Sequence, residues 1–143
     1  MKTIKLSQNR SINSIKLLNI PSYSEENGEL VVLEEDDVVP FPIARVFVVN
    51  AEEGSMRGEH AHKECVQLLI CLSGSVDVLC DDGKNIIEYT LTPFDRALLI
   101  PAGIWGVQKY KLENSSLMVL CNQPYNEDDY IRSYSQFKQW KHE

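Results

Sequence analysis

Two histidines one residue apart constrain this chain more than any other feature. His60 and His62 sit in the stretch from Gly54 to Gly74, and the sequence has only one further histidine, His142. On a β-strand, residues two apart share a face. If that face lines a barrel, two groups that titrate near neutral pH share one pocket. Gln67 lies an odd number of positions past His62, so an unbroken strand would aim it outward. A turn or bulge between Lys63 and Val66 resets the parity and brings Gln67 inward with Leu69 and Cys71. Parity likewise turns Arg57 away from the histidines, unless strand twist or a bulge at Gly58 re-aims it. Ser73-Gly74 then closes a tight turn.

The flanking sequence is rich in short β-prone runs. Strands are predicted at Glu29–Leu33, Ile43–Asn50, Gln67–Leu72, Ser75–Cys80, Ile86–Leu91, Arg96–Ile100, Ile104–Tyr110 and Ser116–Cys121. Asp81-Asp-Gly83-Lys84 between two such runs is a hairpin signal. Residues 1–20 read as an extended N-terminal arm, Pro21–Gly28 as a polar turn, and Val38–Pro42, with two prolines, as a bend or sheet border. Ser133 to Gln136 has the capping-box pattern and opens a helix over 133–141. Many short strands with Gly and Pro turns and one terminal helix indicate an all-β fold, closed or sandwiched. The 143 residues suit a single domain that buries roughly two thirds of its unfolded surface.

Several function classes recede on composition. The formal net charge of −7 argues against a nucleic-acid partner, although an anionic small ligand remains open if arginines concentrate at its site. No run approaches the length of a membrane helix, and Met1-Lys-Thr-Ile-Lys5 is not followed by the apolar stretch of a signal peptide, so a cytoplasmic protein is expected. Cys65, Cys71, Cys80 and Cys121 form no CxxC pair and are expected as reduced, packed thiols.

The intervals around the histidine pair carry a resemblance. Gly54, five residues, His60-x-His62, four residues, Gln67, six residues and Gly74 match the first motif of the cupins. The second motif is weaker: Asp95, five residues, Pro101-x-Gly103, two residues, Gly106. Metal-binding cupins carry glutamate where Gln67 stands and a third histidine where Gly106 stands, so the ligand set is broken. Within the cupins, Arg57–Lys63, Leu72–Val76, Asp81–Gly83, Ile100–Trp105 and Tyr125–Arg132 resemble the sugar-nucleotide 3,4-ketoisomerases (WxcM-like C-terminal domain family). The likeness runs from about Leu18 to Phe137.

This resemblance implies a double-stranded β-helix, or jelly-roll, barrel with a short C-terminal helix. The implied enzyme is a metal-independent, cofactor-free isomerase of deoxyamino-sugar and glycan biosynthesis. It would convert a deoxythymidine-diphosphate-linked (dTDP) 4-keto-6-deoxyhexose to its 3-keto isomer through an enediol, for a later aminotransferase. Imidazoles starting near pKa 6.5 serve as both acid and base in such a step. The family assigns carbon-bound protons to His62 and oxygen-bound protons to His60.

Around the catalytic pair, Arg57 is a candidate diphosphate ligand or a surface ion pair. Arg45 is a substrate contact or an internal salt bridge. Gln67 bonds a sugar hydroxyl or orients a histidine. Lys63 is functional or solvated, and Trp105 divides between core and pocket wall. Tyr125, Tyr130 and Tyr134 are expected to pack the helix rather than touch ligand, and His142 to be an exposed bystander. A homodimer is expected, its first strand a candidate for exchange. The rival readings are a metal-dependent cupin oxygenase, a non-catalytic sugar-nucleotide-binding module and a 3,5-epimerase.

Overall fold

In a computed structural model, described over residues 6–143, the alternating runs form two facing five-stranded antiparallel sheets. The first has the order β1 (Lys16–Asn19), β9 (Arg96–Ile100), β6 (Gln67–Ser73), β11 (Ser115–Cys121), β4 (Arg45–Ala51). The second runs β12 (Tyr130–Ile131), β5 (Met56–His62), β10 (Trp105–Tyr110), β7 (Val76–Asp81), β8 (Ile86–Leu91). A hairpin of β2 (Ser22–Glu25) and β3 (Gly28–Val31) stands beside them. The jelly-roll expectation holds: this is a predominantly β sandwich closed by one C-terminal helix, Tyr134–Lys141.

The core follows the pleat. Between the sheets lie Leu69, Cys71, Val78, Cys80, Leu98, Leu117 and Val119, with Tyr110 fully enclosed. The first sheet is covered on its outer face too, where Leu68, Ile70, Ala97 and Leu120 pack under Ile20, Val38, Val39 and Phe41. Burial on both faces is why Gln67–Leu72 reads as a nearly continuous apolar run rather than an alternating one. The outer face of the second sheet is covered by the helix, which packs Phe137 and Trp140 over Ala61, Trp105 and Ile131.

Two expectations about the N-terminal third are corrected. The arm is extended only over Lys16–Asn19. Residues 6–8 are helical and Ile12–Ser14 form a 3-10 turn capped by Ser11, while residues 1–5 of the predicted arm lie outside the described residues. Asp82 Oδ2 accepts from the Ile12 amide at 2.8 Å, which holds this turn against the β7–β8 loop and leaves Ile15 buried. The predicted polar turn over 21–28 contains β2, exposed along its length and paired only with β3. Such a strand lacks the buried face that gives alternation its signal. The capping box is present, with the Gln136 amide donating to Ser133 Oγ. All four cysteines are free and buried. Among the described residues no helix is long and apolar enough to cross a membrane.

Candidate active site

The histidines come together because β5 is not regular. Gly106 of β10 pairs with His60 but the next residue, Val107, pairs with Gly58, so Glu59 is an extra, unpaired residue. Gly58 (φ 85°) and Glu59 (φ 54°) both occupy the left-handed region, and a left-handed glycine is a common opening of a β-bulge. The bulge puts Arg57 opposite Gln108, on the same face as Gly106 and His60. The predicted re-aiming of Arg57 at Gly58 is therefore what the backbone does. Arg57 itself lies at the exposed rim of that face.

Beyond His62 the strand ends in a bend, and the chain re-enters the opposite sheet at Gln67. That resets the parity between His62 and Gln67, as the spacing demanded. Gln67 then belongs to a row across the first sheet, Arg45–Cys121–Gln67–Ile100. Facing it in the second sheet are His62, paired with Tyr130, and His60, paired with Gly106. His60, His62, Cys65, Gln67, Ile100, Ile104, Gly106 and Gln108 line one narrow cavity. A wider acidic depression at the opposite end of the sandwich, with Glu52, Glu53 and Glu113 on its walls, receives none of the predicted site residues.

Each imidazole is held by its Nδ1. His62 Nδ1 lies 2.8 Å from Asp129 Oδ2, and His60 Nδ1 lies 3.0 Å from the Gly58 carbonyl oxygen. Asp129 also accepts from the amides of Glu64 (2.7 Å) and Cys65 (3.4 Å). Burial pushes its carboxyl up, but the bonds from His62 and the two amides outweigh this and hold it below its ordinary value. A carboxylate accepts only, so His62 Nδ1 carries a proton, and in the neutral ring the lone pair then lies on Nε2. His62 is 6 % exposed, and among the described residues its Nε2 has no hydrogen-bond partner. Burial, and then the neighbouring His62, lower His60 to about 4, so it is neutral near pH 7.

The expectation that the tyrosines pack the helix holds for Tyr134 and is corrected for Tyr130 and Tyr125. Tyr130 stacks on both histidines, with centroids 5.0 Å from His60 and 4.4 Å from His62, and its hydroxyl accepts from Arg45 Nη2 at 3.1 Å. Tyr134 packs under the helix against Trp105, as expected, and donates to Asp81 at 2.7 Å. Tyr125 is exposed and lies against Tyr130 and the Arg45 guanidinium.

Arg45 stands in the same row as Gln67 and, among the described residues, is not half of a salt bridge. Its partners are the Tyr130 hydroxyl and Cys121 Sγ (3.6 Å), with Phe47 beneath the guanidinium. Gln67 also donates to Cys121, at 3.6 Å. Donation from Cys65, Arg45 and Gln67 lowers the Cys121 thiol despite burial, while Cys65, the donor of the thiol pair, is raised.

Two predicted contacts fall elsewhere. Trp105 faces away from the cavity, because it alternates with inward Gly106 and packs on Tyr134 and Phe137. Lys63 follows inward His62 and lines a separate shallow groove with Gln136, Gln139 and Trp140. Parity within β10 held the answer for Trp105, whereas Lys63 lies in the bend past the end of β5. Sequence reasoning missed Asp129 and Tyr130 as site residues. Their only sequence signal was their place in the acidic-aromatic stretch, since neither the 3-10 turn Glu127–Asp129 that holds Asp129 nor the two-residue β12 that holds Tyr130 has periodicity.

A model of the family described as FdtA, WxcM-like, C-terminal, matches residues 13–142. The chain belongs to that family. Within it, a TDP-4-oxo-6-deoxy-alpha-D-glucose-3,4-oxoisomerase from Aneurinibacillus thermoaerophilus is 37 % identical over 126 residues, 87 % of this chain and 91 % of the relative. Among solved structures, the WlaRB TDP-quinovose 3,4-ketoisomerase from Campylobacter jejuni superposes with a TM-score of 0.84 at 36 % identity, covering 90 % of this chain and 99 % of that one. A mutant of the 3,4-ketoisomerase QdtA from Thermoanaerobacterium thermosaccharolyticum, in complex with TDP-4-keto-6-deoxyglucose, gives 0.86 at 28 % identity, with 90 % and 94 % covered.

Proposed function

We propose that this protein is a sugar-nucleotide 3,4-ketoisomerase that converts a dTDP-linked 4-keto-6-deoxyhexose to its 3-keto isomer. The observation that carries the reading is the His62–Asp129 pair, which leaves Nε2 of a buried imidazole unpartnered in the cavity among the described residues. The relatives named above supply the substrate class.

The chemistry is a pair of proton transfers. His62 Nε2 takes the proton from C3, the C–H electron pair becomes the C3=C4 bond, and the C4 carbonyl pair moves onto its oxygen to give an enediolate. The C3 hydroxyl gives its proton to His60 Nε2, which passes it to O4; the carbonyl then forms at C3 and His62 returns its proton to C4. The net change moves one hydrogen from C3 to C4 and one proton from O3 to O4, so the stoichiometry calls for no oxidant. Asp129 fixes the tautomer of His62 and stabilises the imidazolium formed in between. His60, neutral and fixed through Nδ1, serves the oxygens by relaying one proton from O3 to O4. Arg57 at the rim would meet the diphosphate, and Gln67 lines the opposite wall, with Arg45 farther along the same row.

A homodimer belongs to the same reading. β4 is a sheet edge whose Val46 and Val48 are half exposed, and Tyr23 and Leu30 add apolar surface on the β2–β3 hairpin. β1 pairs with β9 of its own chain. The same register would serve an exchanged strand. Light scattering should give twice the chain mass, and a monomer at micromolar concentration would refute the dimer.

The decisive test is proton NMR of dTDP-4-keto-6-deoxyglucose with catalytic protein in D₂O. A 3-keto product with label at C4 and none at C5 is expected. No product from folded protein that binds the nucleotide sugar would overturn the assignment, and exchange at C5 would point to an epimerase.

A further inference from the structure

The histidine cavity also contains a donor set that the isomerisation does not use as such. One ligand atom each from His62, Cys65 and Asp129 lies within 4.8 Å of the others, and all three residues are buried. Only His62 occupies a position of the cupin metal motif. Cys65 comes from the bend after β5, and Asp129 from the 3-10 turn Glu127–Asp129 that precedes β12. The two segments are tied together, because the Asp129 carboxylate accepts from the Glu64 and Cys65 amides. The set is thus built into the fold rather than gathered from loose side chains. The imidazole beside it is more than nine-tenths buried, with an unpartnered nitrogen among the described residues.

Imidazole, thiolate and carboxylate together suit a borderline or soft divalent cation such as zinc or cadmium. Harder cations such as magnesium require an oxygen shell. Metal–ligand bonds of about 2.0–2.3 Å need only a modest inward movement from the present separations.

We infer that His62, Cys65 and Asp129 form an inhibitory site for a thiophilic divalent cation. The inference rests on the reading of His62 as the carrier of the C3 proton. On binding, the Cys65 thiol gives its proton to solvent and the thiolate joins the metal. The single ring proton of His62 moves from Nδ1 to Nε2, and Nδ1 coordinates in place of its bond to Asp129. No electron changes hands. An imidazole protonated at Nε2 cannot accept a proton from carbon, so the loaded protein turns over about 10²-fold more slowly or worse, and a chelator restores the rate.

The test is a titration of the full-length protein with cadmium ion alone, read by the ultraviolet thiolate-to-cadmium charge-transfer band. One saturable equivalent is expected, with the band lost in Cys65→Ala and kept in Cys71→Ala, whose thiol donates to the Ser73 carbonyl elsewhere in the core. Absence of a saturable band in the unmodified protein, or its survival in Cys65→Ala, overturns the site. Should Cys65→Ala not fold, cadmium-113 NMR of the unmodified protein decides. A shift for one sulfur with nitrogen and oxygen ligands supports the site, and an all-oxygen-and-nitrogen shift overturns it. A parallel isomerase assay separates the two readings. Inhibition that tracks the band supports the inference, and a band without inhibition refutes the inhibitory role. A band in folded protein that never isomerises the sugar supports the metal site and defeats the proposed function, whereas full activity with no band does the reverse.

Discussion

Two neighbouring stretches of the C-terminal tail use burial in opposite ways. Tyr134–Lys141 is an ordinary amphipathic helix: it turns Phe137 and Trp140 onto Trp105 and Ala61 and removes apolar surface from water. Glu127–Ile131 is too short to gain much that way. It sets Asp129 and Tyr130 against the two histidines, where polar groups satisfy one another: Asp129 with His62 and two amides, the Tyr130 hydroxyl with Arg45. The helix holds the fold, and the short stretch beside it sets the chemistry.

Substitutions should separate the two. His62→Asn removes the proton carrier and should lower turnover by about 10²–10⁴-fold with little loss of melting temperature. Retention of more than a tenth of the rate by NMR would remove His62 from that role. Phe137→Ala should do the opposite. It costs about 3–5 kcal/mol of stability in denaturant unfolding, while turnover per folded molecule stays near that of the parent. Asp129→Asn offers His62 an amide N–H, favours the wrong tautomer and should cost about 10²-fold in kcat with KM little changed. A change confined to KM would make Asp129 a binding group instead. Tyr130→Phe keeps the ring against both histidines but takes an acceptor from Arg45, so a loss of about 1.5–3 kcal/mol in stability is expected, visible as a shift of the urea midpoint.

The smallest effect is a slope. His60 is held down to about 4 from an ordinary 6.5, so as pH falls the unfolded chain takes up this proton before the native protein does. Native stability should therefore decline from about 6.5 to about 4, and the decline should be shallower in His60→Asn. An unchanged slope in that variant would assign the loss to other groups.

The fold was largely legible because its signals are local. Ile86–Leu91 and Arg96–Ile100 stand where the apolar runs put them, and Ser133 caps the helix. The histidine pair, the Gln67 turn and the re-aimed Arg57 were legible through parity. Trp105 and Lys63 were left open by residue type: parity with inward Gly106 decides the first, while Lys63 lies in the bend beyond β5, where no parity applies. Asp129 and Tyr130 were hidden for a different reason. They meet His62 through a two-residue strand pairing across a long span of chain, and neither spacing nor alternation can encode a contact that tertiary closure alone creates.

The extra residue in β5 acts as a phase shifter. A regular strand would put Arg57 and His60 on opposite faces, one to solvent and one to the cavity. The bulge delays the pleat by one step and brings cation and imidazole into phase, so that the rim group and the proton relay can address a single ligand. Segment length then becomes as specific a property as side-chain identity. Removing Glu59 would leave every side chain of the site in the sequence and yet turn the strand before His60 inside out, a larger change than most substitutions along it.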